Sequence, residues 1–172
     1  MGVKGNAILG LITLAAFIGC GLMAQAQESQ VDYDGFVDLS AEISDYRSSR
    51  LVDLDTFNEM KADSDTIILD TRSAEAYRLG HIDGAAHLNF SDFTDDKLAQ
   101  LIPSKDTRIL IYCNNNFTDN VAPVPVKRIE LALNVPTFIN LYGYGYENIY
   151  ELDGAYPLAE PAIHWVGEVS PL

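Results

Sequence analysis

A chain of 172 residues with a formal net charge of −14 repels nucleic acid, anionic lipid surfaces and free anionic substrates at long range, and suits a partner reached by docking or a neutral or cationic substrate better. The bland account of the same charge is solubility. The length fits one ordinary domain with a sizeable core, and only two cysteines, Cys20 and Cys113, are present.

At the amino end, Lys4 precedes an apolar run over residues 7–23, and Ala24-Gln25-Ala26 before Gln27 has the small-x-small form of a signal-peptidase site. Residues 1–26 are therefore expected to be a secretory leader, the protein to be exported to the periplasm, and no stable membrane insertion to remain after cleavage. A transmembrane anchor is the weaker reading, because Gly10, Thr13, Gly19 and Gly21 interrupt the run. A lipoprotein anchored through Cys20 is the alternative, since Phe17-Ile18-Gly19-Cys20 resembles a lipobox; Phe17 fits poorly there, and apolar Leu22 and Met23 follow. Either processing removes or acylates Cys20 and leaves Cys113 as the single free thiol. A lone exposed thiol in an oxidising compartment mispairs, which favours either deep burial or use. Loss of Lys4 with the leader takes the charge to −15, because every Asp and Glu lies from Glu28 onward.

Residues 27–50 read as an acidic lead-in. Asp32, Asp34 and Asp38 surround Gly35 without the further ligands of a calcium loop, and residues 28–40 are expected to be irregular. A short helix is predicted over residues 41–50, then a short strand over 51–54, then a helix capped by Asp55 or Thr56 with Phe57 and Met60 on one face. Thr66-Ile67-Ile68-Leu69 is a buried strand. It ends in Asp70-Thr71-Arg72, after which Ser73 caps a helix that Gly80 closes. Gly80 and Gly84 around His81-Ile82 mark a tight corner into a short strand, and Thr94 with Asp95 and Asp96 opens another helix.

Arg108-Ile109-Leu110-Ile111-Tyr112 is the next buried strand, stopping at Cys113 and three asparagines, Asn114, Asn115 and Asn116. A thiol at the carboxyl end of a parallel strand sits at the rim where open α/β sheets keep their ligands, and asparagine tolerates the turns that curl a chain round it. Cys113 thus reads as a displayed nucleophile; the competing reading is a small buried hydrophobe. Downstream, Pro123 and Pro125 favour a stiff, extended segment. A helix capped by Thr137 is predicted over residues 138–142, a turn over 143–146 and a last strand over 148–152, with His164 and Trp165 packed in a Pro-bounded tail. Strands alternating with helices predict an α/β domain with a parallel sheet, without repeats or a second domain.

Leu69-Asp70-Thr71-Arg72, Glu75, Gly80-His81-Ile82, Gly84-Ala85, Ile111-Tyr112-Cys113 and residues 145–154 (Gly-Tyr-Glu-Asn-Ile-Tyr-Glu-Leu-Asp-Gly) together resemble the rhodanese family in order and spacing. The resemblance implies a three-layer α/β domain with a central, mainly parallel sheet flanked by helices, over residues 51–172 with an insertion near 119–137. It also implies a cysteine that takes sulfane sulfur from a donor, becomes a persulfide and passes the sulfur to a thiol acceptor. Cys113 matches that nucleophile. Asn114, Asn115, Asn116, Phe117 and Thr118 match the loop whose backbone amides would cradle a thiolate or persulfide, helped by the positive end of the next helix. Asp70, Arg72 and His81 match supporting motifs and read as an ion pair and a capped corner bracing the loop.

The departures limit what is carried over. Many active relatives hold a basic residue and a glycine in the loop; here the loop has no positive side chain, which puts thiosulfate in doubt and leaves exchange with a protein or small-molecule thiol less affected. Phosphatases and arsenate reductases of this fold need an arginine six positions after the cysteine, and Asp119 stands there. The insertion is expected to overhang Cys113, with Lys127 or Arg128 as possible replacement charge donors; an ordinary solvated loop is the alternative. His81 and His87 lack a third ligand, so no metal and no cofactor is expected. The overall expectation is an exported sulfurtransferase or sulfane-sulfur carrier acting between a sulfur donor and a thiol acceptor, with no nucleic acid partner. The alternatives are a non-catalytic rhodanese-like binding module and a thiol redox sensor.

Overall fold

β-Branched and aliphatic runs with few breaks place the two longest strands, β2 (Thr66–Asp70) and β5 (Arg108–Tyr112), side by side at the middle of the computed structural model, which describes residues 1–2 and 28–168. The chain divides into two units, Met1–Asp32 and Tyr33–Leu172. Apart from its first two residues, the leader expected over residues 1–26, Cys20 included, lies outside the described residues. In the first unit, Val31 N–H donates to Ser29 Oγ at 3.2 Å. Among the described residues, no helix is long and apolar enough to cross a membrane.

The second unit holds a five-stranded parallel sheet. Its strands β1 (Leu51–Val52), β2, β4 (Ala86–His87), β5 and β6 (Ile149–Leu152) lie in the order β1-β6-β5-β2-β4. Helices α1 (Tyr33–Ser48), α2 (Leu54–Lys61), α3 (Ala74–Leu79), α4 (Asp95–Leu101) and α5 (Asn134–Gly143) surround it. Because β5 has a partner on both edges and helices on both faces, Ile109, Leu110, Ile111 and Tyr112 are all inaccessible. Strand alternation sends Ile109 and Ile111 into one core with Ile43, Phe138 and Leu141, and Leu110 and Tyr112 into the other with Phe57 and Leu152. The α/β class, the central parallel sheet and the flanking helices agree with the sequence-based expectation.

Several boundaries differ for local reasons. The stretch expected to be irregular up to residue 40 is helical from Tyr33. Phe36, Leu39, Ile43 and Tyr46 recur at helical spacing; Ile43 is buried, Leu39 and Tyr46 pack on the core, and the acidic residues occupy the turns between. Helix α2 starts at Leu54 because Asp53, not Asp55 or Thr56, is its cap: Asp53 Oδ1 accepts the Thr56 N–H at 2.8 Å. Helix α5 begins at Asn134, ahead of the expected cap Thr137. Pro136 is tolerated in the first turn, where no intrahelical donor is needed, and Thr137 is buried with its Oγ1 2.9 Å from that of Thr71.

The corner at His81-Ile82 is itself a strand, β3 (His81–Ile82), antiparallel to β7 (Trp165–Val166). Gly80 is required by packing: a Cβ there would lie 2.4 Å from the Trp165 ring. The tail therefore closes over the segment that follows α3.

Candidate functional site

Strand β5 carries Cys113 out at its carboxyl end, and the chain turns at once into a 3₁₀ turn, Asn114–Asn116. Each asparagine has its own task in the turn. Asn116 Oδ1 accepts the Cys113 N–H at 2.9 Å, while its Nδ2 donates to Leu152 O at 2.7 Å and Gly154 O at 3.0 Å, tying the loop to the end of β6. Asn115 clamps the main chain of Lys127 from both sides, donating to its carbonyl at 2.8 Å and accepting its N–H at 3.1 Å. Asn114 Nδ2 donates to Pro125 O at 3.0 Å. The asparagine run holds the insertion against the loop by mimicking backbone pairing.

The sulfur is not displayed. Cys113 is 1% exposed, because the start of α5 and Ala132 of the insertion close around it. Burial pushes the thiol pKa up; the amides of Asn134 and Asn115 pull the other way, the Glu151 charge raises it further, and the Leu133 amide opposes. The expected cradle over residues 114–118 is thus only partly built from those residues. Asn115 contributes, whereas the amides of Phe117 and Thr118 are committed to Asn114 O and Tyr156 O. The remaining donors, Leu133 and Asn134, come from the other end of the insertion.

Helix α5 explains why those two are free. No side chain caps it, Val135 donates to Ala132 O, and Pro136 has no N–H. The first amides of a helix lack intrahelical partners, and here those of Leu133 and Asn134 favour the Cys113 thiolate at the positive end of the dipole. The helix predicted from Thr137 starts four residues too late, which leaves Leu133 and Asn134 out of the sequence-based site.

A buried polar network backs the sulfur. Asn134 Nδ2 donates to Asn116 Oδ1 at 3.1 Å and to Glu151 Oε1 at 3.2 Å. Glu151 also takes a two-pronged bond from Arg47 of α1, Nε to Oε2 and Nη2 to Oε1, both 2.7 Å. Arg47, Cys113, Asn134, Glu151 and Asp153 line one cavity of about 300 Å³, with Ile129 and Ala132 of the insertion on its wall. Lys127 lines a separate cleft of about 250 Å³ together with Arg72 and Asn114. Neither Lys127 nor Arg128 borders the Cys113 cavity, whose lining cation is Arg47. The insertion itself is more than a solvated loop, since Val124 is fully buried in the second core.

Beneath the loop, Asp70 and Arg72 form a buried ion pair at 2.6 Å. Tyr112 donates its hydroxyl to Asp70 Oδ2 at 2.6 Å and accepts the Ile82 N–H at 3.1 Å, while Arg72 Nη2 donates to Gly80 O at 2.7 Å. The guanidinium lies over the rings of Tyr112 and Trp165. His81 stacks on Tyr77 and has Nδ1 2.8 Å from Tyr77 O; His87 Nε2 is 2.8 Å from Arg72 O. Among the described residues, no three His, Cys, Asp or Glu side chains are grouped to hold a metal ion.

Comparison with known proteins agrees with this architecture. The rhodanese-like domain model matches residues 53–158, well over half of the chain, and the chain belongs to that family. A tRNA uridine(34) hydroxylase of Bdellovibrio bacteriovorus is 32% identical over 98 residues, which are 55% of this chain and 23% of that protein, so the chain spans about a quarter of its relative's length. The BH2092 protein of Bacillus halodurans aligns at a TM-score of 0.43 and 21% identity, covering 69% of this chain and 77% of that one. The Rhodanese_3-like domain of the Anabaena Alr3790 protein aligns at 0.37 and 24%, covering 52% and 78%. At the level of the family, membership supports sulfur transfer or a related function.

Proposed function

We propose that this member of the rhodanese-like family carries sulfane sulfur as a persulfide on Cys113. The observation that carries the reading is the place of Cys113, at the carboxyl end of β5 and on the wall of a cavity of about 300 Å³ that the start of α5 also lines, where the Asn134, Asn115 and Leu133 amides favour its thiolate. Amides at a helix start favour an anion, and a persulfide anion is the anion this chemistry needs. In the loading step the Cys113 thiolate attacks the outer sulfur of a donor persulfide. A new S–S bond forms on Cys113 as the donor's breaks, and the donor leaves as a thiolate that takes up the proton Cys113 released. In the second step an acceptor thiolate attacks the outer sulfur, and Cys113 leaves and is reprotonated. No oxidant is consumed. The outer sulfur stands about 2 Å beyond Sγ, and Cys113 lines the cavity that would receive it.

The cavity also bears on the donor. Glu151 and Asp153 outnumber Arg47 along its wall, and the loop brings no cation. A dianion such as thiosulfate is therefore disfavoured, and a low-molecular-weight persulfide or a protein-borne one is the better donor. The protein is proposed to work after export, with residues 1–26 removed.

A second reading rests on the burial of Cys113 and its raised pKa: a rhodanese-like module that binds a partner on the loop face without transferring sulfur. Sulfide released when a low-molecular-weight persulfide donor is mixed with the protein and dithiothreitol separates the two. Release faster than with Cys113→Ser supports the carrier; equal rates for the two proteins support the binding module.

A further inference from the structure

Arg47 lies ahead of the residues that the family model matches, 53–158, yet it reaches the wall of the Cys113 cavity. Glu151 is only 6% exposed, and a carboxylate that deep needs a partner. Arg47 grips it with two parallel N–H···O bonds of 2.7 Å, the strongest geometry for such a pair. The Glu151 oxygen that takes Arg47 Nη2 also accepts Asn134 Nδ2, and Asn134, which lines the cavity with Cys113, supplies one of the amides that favour its thiolate. One chain of contacts thus runs from α1 through β6 and the start of α5 to Cys113.

The charged groups around the cavity are few: Arg47 from α1, Glu151 on β6 and Asp153 just after it. The loop after Cys113 contributes none, and Arg72 and Lys127 line the other cleft. Without Arg47, the two carboxylates on the cavity wall would have no lining cation opposite them.

We infer that Arg47 is a positioning residue that supplies the cation of this site: by neutralising Glu151 and fixing Asn134 through it, the residue lets Cys113 form and keep a sulfur anion. The inference rests on the reading that Cys113 is the working thiol. It assigns to the helix ahead of the matched residues a charge that the loop does not carry.

The test is the pH profile of Cys113 alkylation by iodoacetamide in the full chain, followed by peptide mass spectrometry, with circular dichroism to check folding. Arg47→Gln is expected to move the midpoint up by about one pH unit, slowing alkylation at neutral pH about tenfold. Glu151→Gln is expected to move it down, the double variant Arg47→Gln with Glu151→Gln to return near the wild type, and Arg47→Lys to stay closer to the wild type than Arg47→Gln. Arg47→Gln and Glu151→Gln shifting the midpoint in the same direction, or not at all, would overturn the inference. So would faster alkylation at every pH with an unmoved midpoint, the mark of a role confined to packing. Sulfur loading of the wild type, read by intact mass, keeps the two ideas apart. Midpoints that move as expected without any loading would retain Arg47 and remove the sulfur carrier, whereas loading with immobile midpoints would do the reverse.

Discussion

Cys113 holds its proton more firmly than an ordinary thiol, because burial disfavours the thiolate more than the surrounding amides favour it. The consequence for stability has a definite sign. A thiol whose pKa is raised by folding contributes stability that is fully present below its unfolded value, about 8.5, and is lost as the pH rises through the folded value. The urea midpoint of the wild type should therefore fall between neutral and alkaline pH more steeply than that of Cys113→Ser; parallel curves would contradict the assignment. Asp70 and Arg72 belong to the same scale. Their pair is buried, so Arg72→Ala leaves Asp70 buried without its counter-ion, and a loss of about 3–5 kcal/mol in chemical denaturation is expected. Cys113, Asp70 and Arg72 were legible in the sequence because each ends or follows an apolar run at a strand's carboxyl end. Arg47 and Glu151 were not, because the chain separates them by about a hundred residues and only the fold brings them together. Asn134 had a weak signal: an asparagine two residues before Pro136 is a plausible helix start.

At the scale of elements, the loop and the insertion act as one piece. Asn115 holds the Lys127 main chain with two bonds, so Asn115→Ala should raise amide exchange over residues 119–132 of the insertion while the sheet stays protected; unchanged exchange there would show that Val124 alone anchors it. Asp53→Ala removes the acceptor for the Thr56 N–H and should lower the urea midpoint, whereas Asp53→Asn should keep it near the wild type. Strands β2 and β5 were legible from composition, as were α3 and α4 from Ser73 and Thr94. The start of α1 is masked by acidic residues lying between Phe36, Leu39, Ile43 and Tyr46, although its second half falls in the helix predicted over 41–50, and the start of α5 is masked because Thr137 has the form of a cap but is needed inside the core. Strand β7 offered no local signal, as it exists by pairing with β3.

For the molecule as a whole, the parallel sheet delivers Cys113 to its rim, and the surface around it is acidic. With a net charge of −14, the protein should slow an anionic reagent relative to a neutral one. The ratio of iodoacetate to iodoacetamide reactivity at Cys113 is expected to rise when ionic strength is raised toward about 0.5 M, as screening shortens the field. The most direct measurement is the intact mass of the purified protein after incubation with a low-molecular-weight persulfide, and separately with thiosulfate, wild type beside Cys113→Ser. A gain of one sulfur from the persulfide, weaker or absent with thiosulfate and absent in the variant, is the predicted result; no sulfur from either donor while Cys113 still reacts with iodoacetamide would contradict the account.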